Sequence, residues 1–331
     1  MALETLNFEL FTKGSDEEQK QLGDALTKSF ENHGFAKLIN HGIPSDIVDE
    51  LFKMMKKFFS LSREAKEKIV HEPSPNPQRG WSRKGAETTS KLRKDNLNGS
   101  TGDELTDEKE HFDCGPHDDF EFPNLWPTED MPEFQGFMEK YFELCQKVSL
   151  QIMQALELGL RLPKGALVSR CIPAASELRV LHYPPVNIET IMDGKIKRTW
   201  PHTDFGIITL LFQDSVGGLE LEDRTKPGTF APVLPTKKGQ SPELVINISD
   251  TCQRLTNDRI TAGVHQVSLP FHTRGQTSGE LPHRYSSVFF FKASRETNVG
   301  PLPQFISEKT PRLYEDMTAL QFHKQMTKIL Y

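Results

Sequence analysis

The sequence predicts a mainly β protein, a sandwich or barrel with α-helices packed outside it. After Pro173 the chain breaks into short β-rich runs, LRVLHY, FGIITLLFQ, GGLELE, ELVINIS and YSSVFFF, divided by Gly, Pro, Asn and Asp. Runs of this kind in succession fit a sandwich or barrel better than βαβ units. Before Pro173, and again at the C-terminus, apolar residues recur at helical spacing. The chain has 331 residues, a length that β barrels with helical additions reach as one domain. A single unit over 1–331 is expected.

Residues 17–33 carry Leu22, Ala25, Leu26 and Phe30 at helical spacing and stop at His33-Gly34, where glycine can take the left-handed cap conformation. Phe35 to Ile39 is a short apolar strand. The Asn40-His41-Gly42 turn leads into a second helix striped by Ile47, Val48, Leu51, Phe52, Met55 and Phe59. His41 reads as a residue that satisfies backbone groups in that turn, with a metal-ligand role the lesser alternative. Between 72 and 121 the periodicity gives way to Pro, Gly, Ser, Asn and charge, which predicts long loops over the scaffold. Loops this long are uncommon unless mobile or functional, so a lid is expected there. From Glu133 to Gly159 helical spacing returns, through Phe134, Met138, Tyr141, Cys145, Val148 and Ile152, for a long helix against the barrel. Leu320, Phe322, Met326, Ile329 and Leu330 predict a closing helix over 312–331. The expected division is a helical and loop region at 1–125 that contributes to a substrate pocket, a long helix plus β core at 126–311, and the helix at 312–331.

The formal net charge is -6, and charges are interspersed except for a basic cluster (Lys91, Arg93, Lys94) followed by an acidic one (Asp103 to Glu110). No phosphate-binding stripe results, which argues against nucleic acid as a partner. Four scattered cysteines, Cys114, Cys145, Cys171 and Cys252, show no zinc-finger spacing and read as reduced thiols. The N-terminal MALETLNFELFTKG has no apolar signal region, and no stretch approaches membrane-spanning length. A cytoplasmic protein with no membrane contact and no obligate protein partner is expected.

The chemistry centres on WPHTDFGIITLLFQD, residues 200–214. On a strand, positions i and i+2 share a face about 6.5–7 Å apart at Cα, so His202 and Asp204 can close on one cation. They would be two of the three ligands of a 2-His-1-carboxylate triad, which suits ferrous iron and leaves positions open for oxygen and substrate. The chain holds three His-x-Asp pairs. His111/Asp113 and His117/Asp119 lie in an acidic stretch with Gly115 and Pro116 and read as exposed polar loop, whereas His202/Asp204 open an apolar run of Ile207, Ile208, Leu210, Leu211 and Phe212. Rigid elements are where metal sites belong. The third ligand is assigned to His265 in TAGVHQVSLP, ahead of His272 and His283 in a Gly/Pro-rich loop. In HRYSSVFFF, Arg284 and Ser286 share a face with Val288 and Phe290, and an arginine fork beside a hydroxyl suits a carboxylate. The plainer alternative is an edge arginine reaching solvent.

In order along the chain, GFAKLINHGIP, RGWSRKGAE, KEHFDCGP, NLWP, LRVLHYPP, HTDFGIITLLFQD, GGLELED, NISD, LTNDRITAGVHQV and RYSSVFFF resemble the non-haem Fe(II)/2-oxoglutarate-dependent dioxygenases, specifically the isopenicillin N synthase-like group. The resemblance implies a double-stranded β-helix (jelly-roll) core and Fe(II) held by His202, Asp204 and His265. It also implies 2-oxoglutarate with its far carboxylate on Arg284 and Ser286, and O2 as the oxidant. Tyr183 shares a face with Arg179 and Leu181 and is placed to reach the cosubstrate. The implied reaction couples decarboxylation of 2-oxoglutarate to succinate with oxidation of a C–H bond by hydroxylation, desaturation or ring formation. Its substrate is expected to be a small molecule, such as a specialised metabolite, an amino acid or a peptide-like compound. Arg79, Trp81, Arg83 and Phe205 are the candidate substrate contacts. Three departures stand out: Leu181 replaces the usual asparagine, Gln266 replaces the arginine after the distal histidine, and a longer segment before Arg284 leaves Arg274 as a rival clamp. The competing readings are an oxidase of this fold that uses O2 without 2-oxoglutarate, a non-catalytic binding barrel, and a zinc hydrolase.

Overall fold

The computed structural model describes residues 3–92, 105–237 and 239–330. The strand Thr5–Asn7 (β1) runs parallel to Phe35–Ile39 (β2). Between them lies the helix Asp16–His33 (α1), opened by a Ser15/Glu18 capping box and closed at Gly34, whose φ of 75° glycine adopts without strain. Ser45–Phe59 (α2) follows as the periodicity predicts. The strands Gly80–Ser82 (β3) and Glu110–Cys114 (β4) come next, and then the 28-residue helix Glu133–Leu160 (α3). Beyond it run Glu177–Tyr183 (β5), Thr199–His202 (β6), Ile208–Gln213 (β7), Leu219–Glu222 (β8), Phe230–Pro232 (β9), Leu244–Ile248 (β10), His265–Val267 (β11) and Arg284–Phe291 (β12). Ala319–Leu330 (α4) closes the chain. Among the described residues, no helix is long and apolar enough to cross a membrane.

Eight strands form one sheet in the order β1-β2-β10-β7-β12-β5-β4-β3, and four form another in the order β9-β8-β11-β6. The sheets share an apolar cluster, with Leu181, Leu211 and Val288 of the larger against Leu219, Leu221 and Val267 of the smaller. This is the two-sheet jelly roll. Because side chains alternate across a strand, the other face of the large sheet carries Leu178, Val180, Leu210, Phe212, Phe289 and Phe291 into a second cluster with the helices. There Phe142 of α3 meets the Phe289 ring edge-on at 5.0 Å.

Two expectations fail here. The acidic stretch around His111 and Asp113 is not exposed loop: all of β4 is buried, paired on one side with β3 and on the other with β5. Trp81 and Phe112 face each other in that register and anchor the strand in the core. Residues 93–104, part of the expected lid, lie outside the described residues. The closing helix begins at Ala319 rather than 312, because Thr318 caps it. The Gln321 N–H donates to Thr318 Oγ1 at 3.1 Å, and the Thr318 N–H donates to Gln321 Oε1 at 2.9 Å.

Helices α1 and α3 cross through Gly23 and Gly159. A Cβ on Gly159 would stand 2.2 Å from the Gly23 carbonyl oxygen and 2.1 Å from Thr27 Oγ1. Gly159→Ala should therefore destabilise the protein by about 1–3 kcal/mol through overpacking, seen as a lower denaturant midpoint with an unchanged slope.

Candidate active site

His202 ends β6 and His265 begins β11, and the antiparallel register sets them opposite each other. Their rings lie 4.3 Å apart at the centroids. Asp204 is not on the strand with His202: β6 stops at His202, and the apolar strand β7 begins only at Ile208. Gly206 makes the intervening turn, where a Cβ would meet the Phe291 carbonyl oxygen at 2.6 Å. What holds Asp204 is hydrogen bonding. Its Oδ2 accepts from Thr209 Oγ1 at 2.6 Å and Asn247 Nδ2 at 2.8 Å, and its carbonyl accepts from the Asp250 N–H at 2.8 Å.

These bonds leave the remaining atoms facing one point. His202 Nδ1 is 2.8 Å from the Trp200 carbonyl and His265 Nδ1 is 3.2 Å from that of Gly263, so in both rings the proton belongs on Nδ1 and Nε2 offers a lone pair. The two Nε2 atoms lie 3.7 and 3.9 Å from Asp204 Oδ1, and the three ligand atoms fall within 4.8 Å of one another. Burial and the adjacent His265 lower the proton affinity of His202. Burial opposes ionisation of Asp204, but the two histidines and its two side-chain donors hold it below the ordinary carboxylate value. Ring nitrogens that offer a lone pair beside an ionised carboxylate are the form a metal ion requires. His272 and His283 lie outside the cluster; the latter is bonded to His182 at 2.8 Å. His41 binds the Pro242 carbonyl at 3.0 Å and accepts from the Ile43 N–H, as the turn reading expects.

The triad opens on a cavity of about 90 Å³. At its inner end Arg284 is fully buried. It donates to the Gly217 carbonyl at 2.7 Å, Ser286 Oγ at 3.2 Å and Gln213 Oε1 at 3.3 Å, with its guanidinium 4.7 Å over the Tyr183 ring. Among the described residues no carboxylate is within ion-pair distance of it, so its charge has only neutral acceptors. Arg274, the rival clamp, is instead paired with Glu220. Leu181 lines the cavity, whereas Gln266 bonds Glu220 at 2.7 Å.

At the outer end Phe205 lines the cavity, but Arg79, Trp81 and Arg83 do not. The Arg79 guanidinium is closed off by Asp119 at 2.8 Å, Glu177 at 3.2 Å and the carbonyls of Gln78 and Phe122. The Trp81 indole donates to Glu110 at 2.7 Å. Arg83 is exposed and lies 3.7 Å from Glu67. In their place the outer wall presents Glu87, Lys109, Glu177, Arg179 and Lys292. Period 2 places Glu177 on the face of Arg179 and Tyr183, and Lys292 on that of Arg284. For Glu87 and Lys109 no comparable sequence signal exists.

Residues 175–293 match the family model of the 2OG-Fe(II) oxygenase superfamily, and residues 3–129 match that of the non-haem dioxygenase in morphine synthesis N-terminal region. A 2-oxoglutarate-dependent dioxygenase of Aspergillus rugulosus, ecdK, is 43% identical with both chains fully covered. The chain belongs to the 2OG-Fe(II) oxygenase superfamily. A further 2-oxoglutarate-dependent dioxygenase, imqE of Aspergillus flavus, is 41% identical over 99% of this chain and 94% of its own. The proline hydroxylase buaE of Petromyces alliaceus is 40% identical over 98% of each. A full-length Neurospora crassa protein, solved in complex with alpha-KG, superposes with a TM-score of 0.86 at 28% identity, covering 98% of this chain and 96% of that one. This oxygenase is accordingly an enzyme that uses Fe(II), 2-oxoglutarate and O2.

Because Arg79 bonds two carboxylates that keep Lys292 and Arg295 as their other partners, Arg79→Ala should destabilise the fold by about 1–3 kcal/mol. Urea denaturation would show this as a loss of stability, and added substrate would not restore it beyond ordinary ligand stabilisation.

Proposed function

We propose that His202, Asp204 and His265 hold Fe(II), and that Arg284, Ser286 and Tyr183 receive 2-oxoglutarate in an oxygenase that oxidises a C–H bond of a small molecule. One observation carries this assignment: three converging ligand atoms share a cavity with a buried arginine that lacks a carboxylate partner among the described residues. The histidine-carboxylate donor set suits Fe(II) and leaves coordination positions open. Arg284 and Ser286 supply the charge and hydroxyl that fix the far carboxylate of the cosubstrate. When bound, iron and 2-oxoglutarate supply the capacity to activate O2; the chain positions, orients and excludes water. Thr209 and Asn247 act through Asp204, keeping one carboxylate oxygen occupied so that the other faces the metal. An amino acid or peptide-like substrate is supported by the similarity to the proline hydroxylase buaE and by the charged outer wall.

Anaerobic addition of Fe(II) and 2-oxoglutarate should produce a visible charge-transfer band, and succinate should form in step with product. A band that persists in Asp204→Ala, or product formed without succinate, would overturn the assignment. Thr209→Val should weaken Fe(II) binding about 10- to 100-fold, measured by titrating the band. Arg284→Met should raise the KM for 2-oxoglutarate with Fe(II) affinity retained.

A further inference from the structure

Among the described residues, the outer compartment of the cavity holds five charged side chains in alternating sign. Lys292 is bonded to Glu177; Glu177 and Arg179 are successive residues on the inner face of β5; Arg179 donates to Glu87 at 2.7 Å; and Glu87 accepts from Lys109 at 3.4 Å. Burial opposes ionisation of Glu87, yet Arg179 and Lys109 hold its carboxyl well below the ordinary range. His323, whose imidazole faces Lys292, is kept neutral by burial and by that charge. Among the described residues, Leu92, Phe205, Phe290 and Leu330 add apolar surface to the same cavity. An apolar substrate seated here would return no hydrogen bonds to these mutually paired charges.

Two atoms on this wall retain bonding capacity. Among the described residues Glu87 Oε1 takes only the long bond from Lys109, although a carboxylate oxygen has two acceptor sites. Lys109 Nζ donates to Asp107 at 2.8 Å and to Glu87, leaving the third of its ammonium hydrogens. This pair sits beside the triad: Thr89 Oγ1, bonded to Asp107, also accepts the N–H of Trp200, two residues before His202. A free α-amino acid presents an ammonium nitrogen and a carboxylate carbon about 2.5 Å apart. It can therefore enter the alternation without leaving a charge unpaired.

We propose that the substrate is a free α-amino acid, its ammonium bound by Glu87 and its carboxylate by Lys109, with its side chain directed toward Phe205 and the iron ligands. This inference rests on the iron and 2-oxoglutarate assignment above. The test uses the anaerobic Fe(II)·2-oxoglutarate enzyme, the twenty proteinogenic L-amino acids, their methyl esters and their N-acetyl derivatives. The readouts are thermal shift and perturbation of the charge-transfer band. At least one free amino acid should bind, with its ester and its N-acetyl derivative each weakened tenfold or more. Glu87→Gln should weaken the free amino acid at least tenfold and leave the N-acetyl derivative unaffected. Should that variant fail to fold, the comparison among ligands on the natural protein stands alone. Equal binding of the ester or the N-acetyl compound, or no amino acid binding to enzyme that shows the band, would overturn the proposal. Absence of the band itself would overturn the iron and cosubstrate assignment, and this inference with it.

Discussion

Arg179 faces Val288 on one neighbouring strand and Asp113 on the other, and that three-strand register decides what enters the cavity. Alternation sends Glu177, Arg179, Leu181 and Tyr183 inward while Leu178 and Val180 pack against the helices. On β12 the same rule sends Arg284, Ser286, Val288 and Phe290 inward and Phe289 and Phe291 outward. A one-residue slip between these strands would drive arginines into the aromatic core and phenylalanines into the cavity. The aromatic core is thus what holds the chemistry in place, since burying a charge there has a penalty far larger than any single packing contact.

Two inward arginines illustrate how that penalty is met. Arg179 is answered by Asp113 at 2.8 Å and Glu87 at 2.7 Å, both within the protein. Arg284, at the deeper end of the same face, has only a carbonyl, a hydroxyl and an amide among the described residues. One arginine is compensated by the fold and the other awaits an anion. This difference, rather than the presence of arginine as such, is the ground for proposing Arg284 and not Arg179 as the cosubstrate clamp. Arg79 shows the same logic from the other side: its sequence context suggested a substrate contact, yet two buried carboxylates claim it.

The sequence was legible where one period ran long enough to dominate. Helices α1, α2 and α3 and strand β5 follow directly from their apolar spacing. His265 could be preferred over His283 because it opens an apolar strand. Legibility failed where side-chain hydrogen bonds override the pattern. Thr318 and Gln321 start α4 seven residues later than the expected position 312. Asp204 is held by Thr209 and Asn247 rather than by a strand, and nothing near 204 in the chain points to Asn247. In β4, charged residues read as loop because their partners, Arg179 and His182, lie about seventy residues away.

The three functions of the cavity are drawn from different parts of the chain. The two histidines come from the smaller sheet, on β6 and β11; the proposed cosubstrate clamp comes from β12 of the larger; and Glu87 and Lys109 come from the segments that flank β3 and β4. Changes at 78–92, at 105–109 or on α4 can reshape the outer wall without moving His202 against His265, whose facing is fixed by backbone pairing between two other strands. The constraint works in the opposite direction at Asp107. It is wholly buried, and it ties Thr89 and Lys109 to the strand that carries His202. A substitution there would disturb the substrate wall and the approach to iron together. A buried carboxylate is thus one of the links between the outer wall and the strand of His202, beside the direct bonds of Thr89 and Thr106 to Trp200.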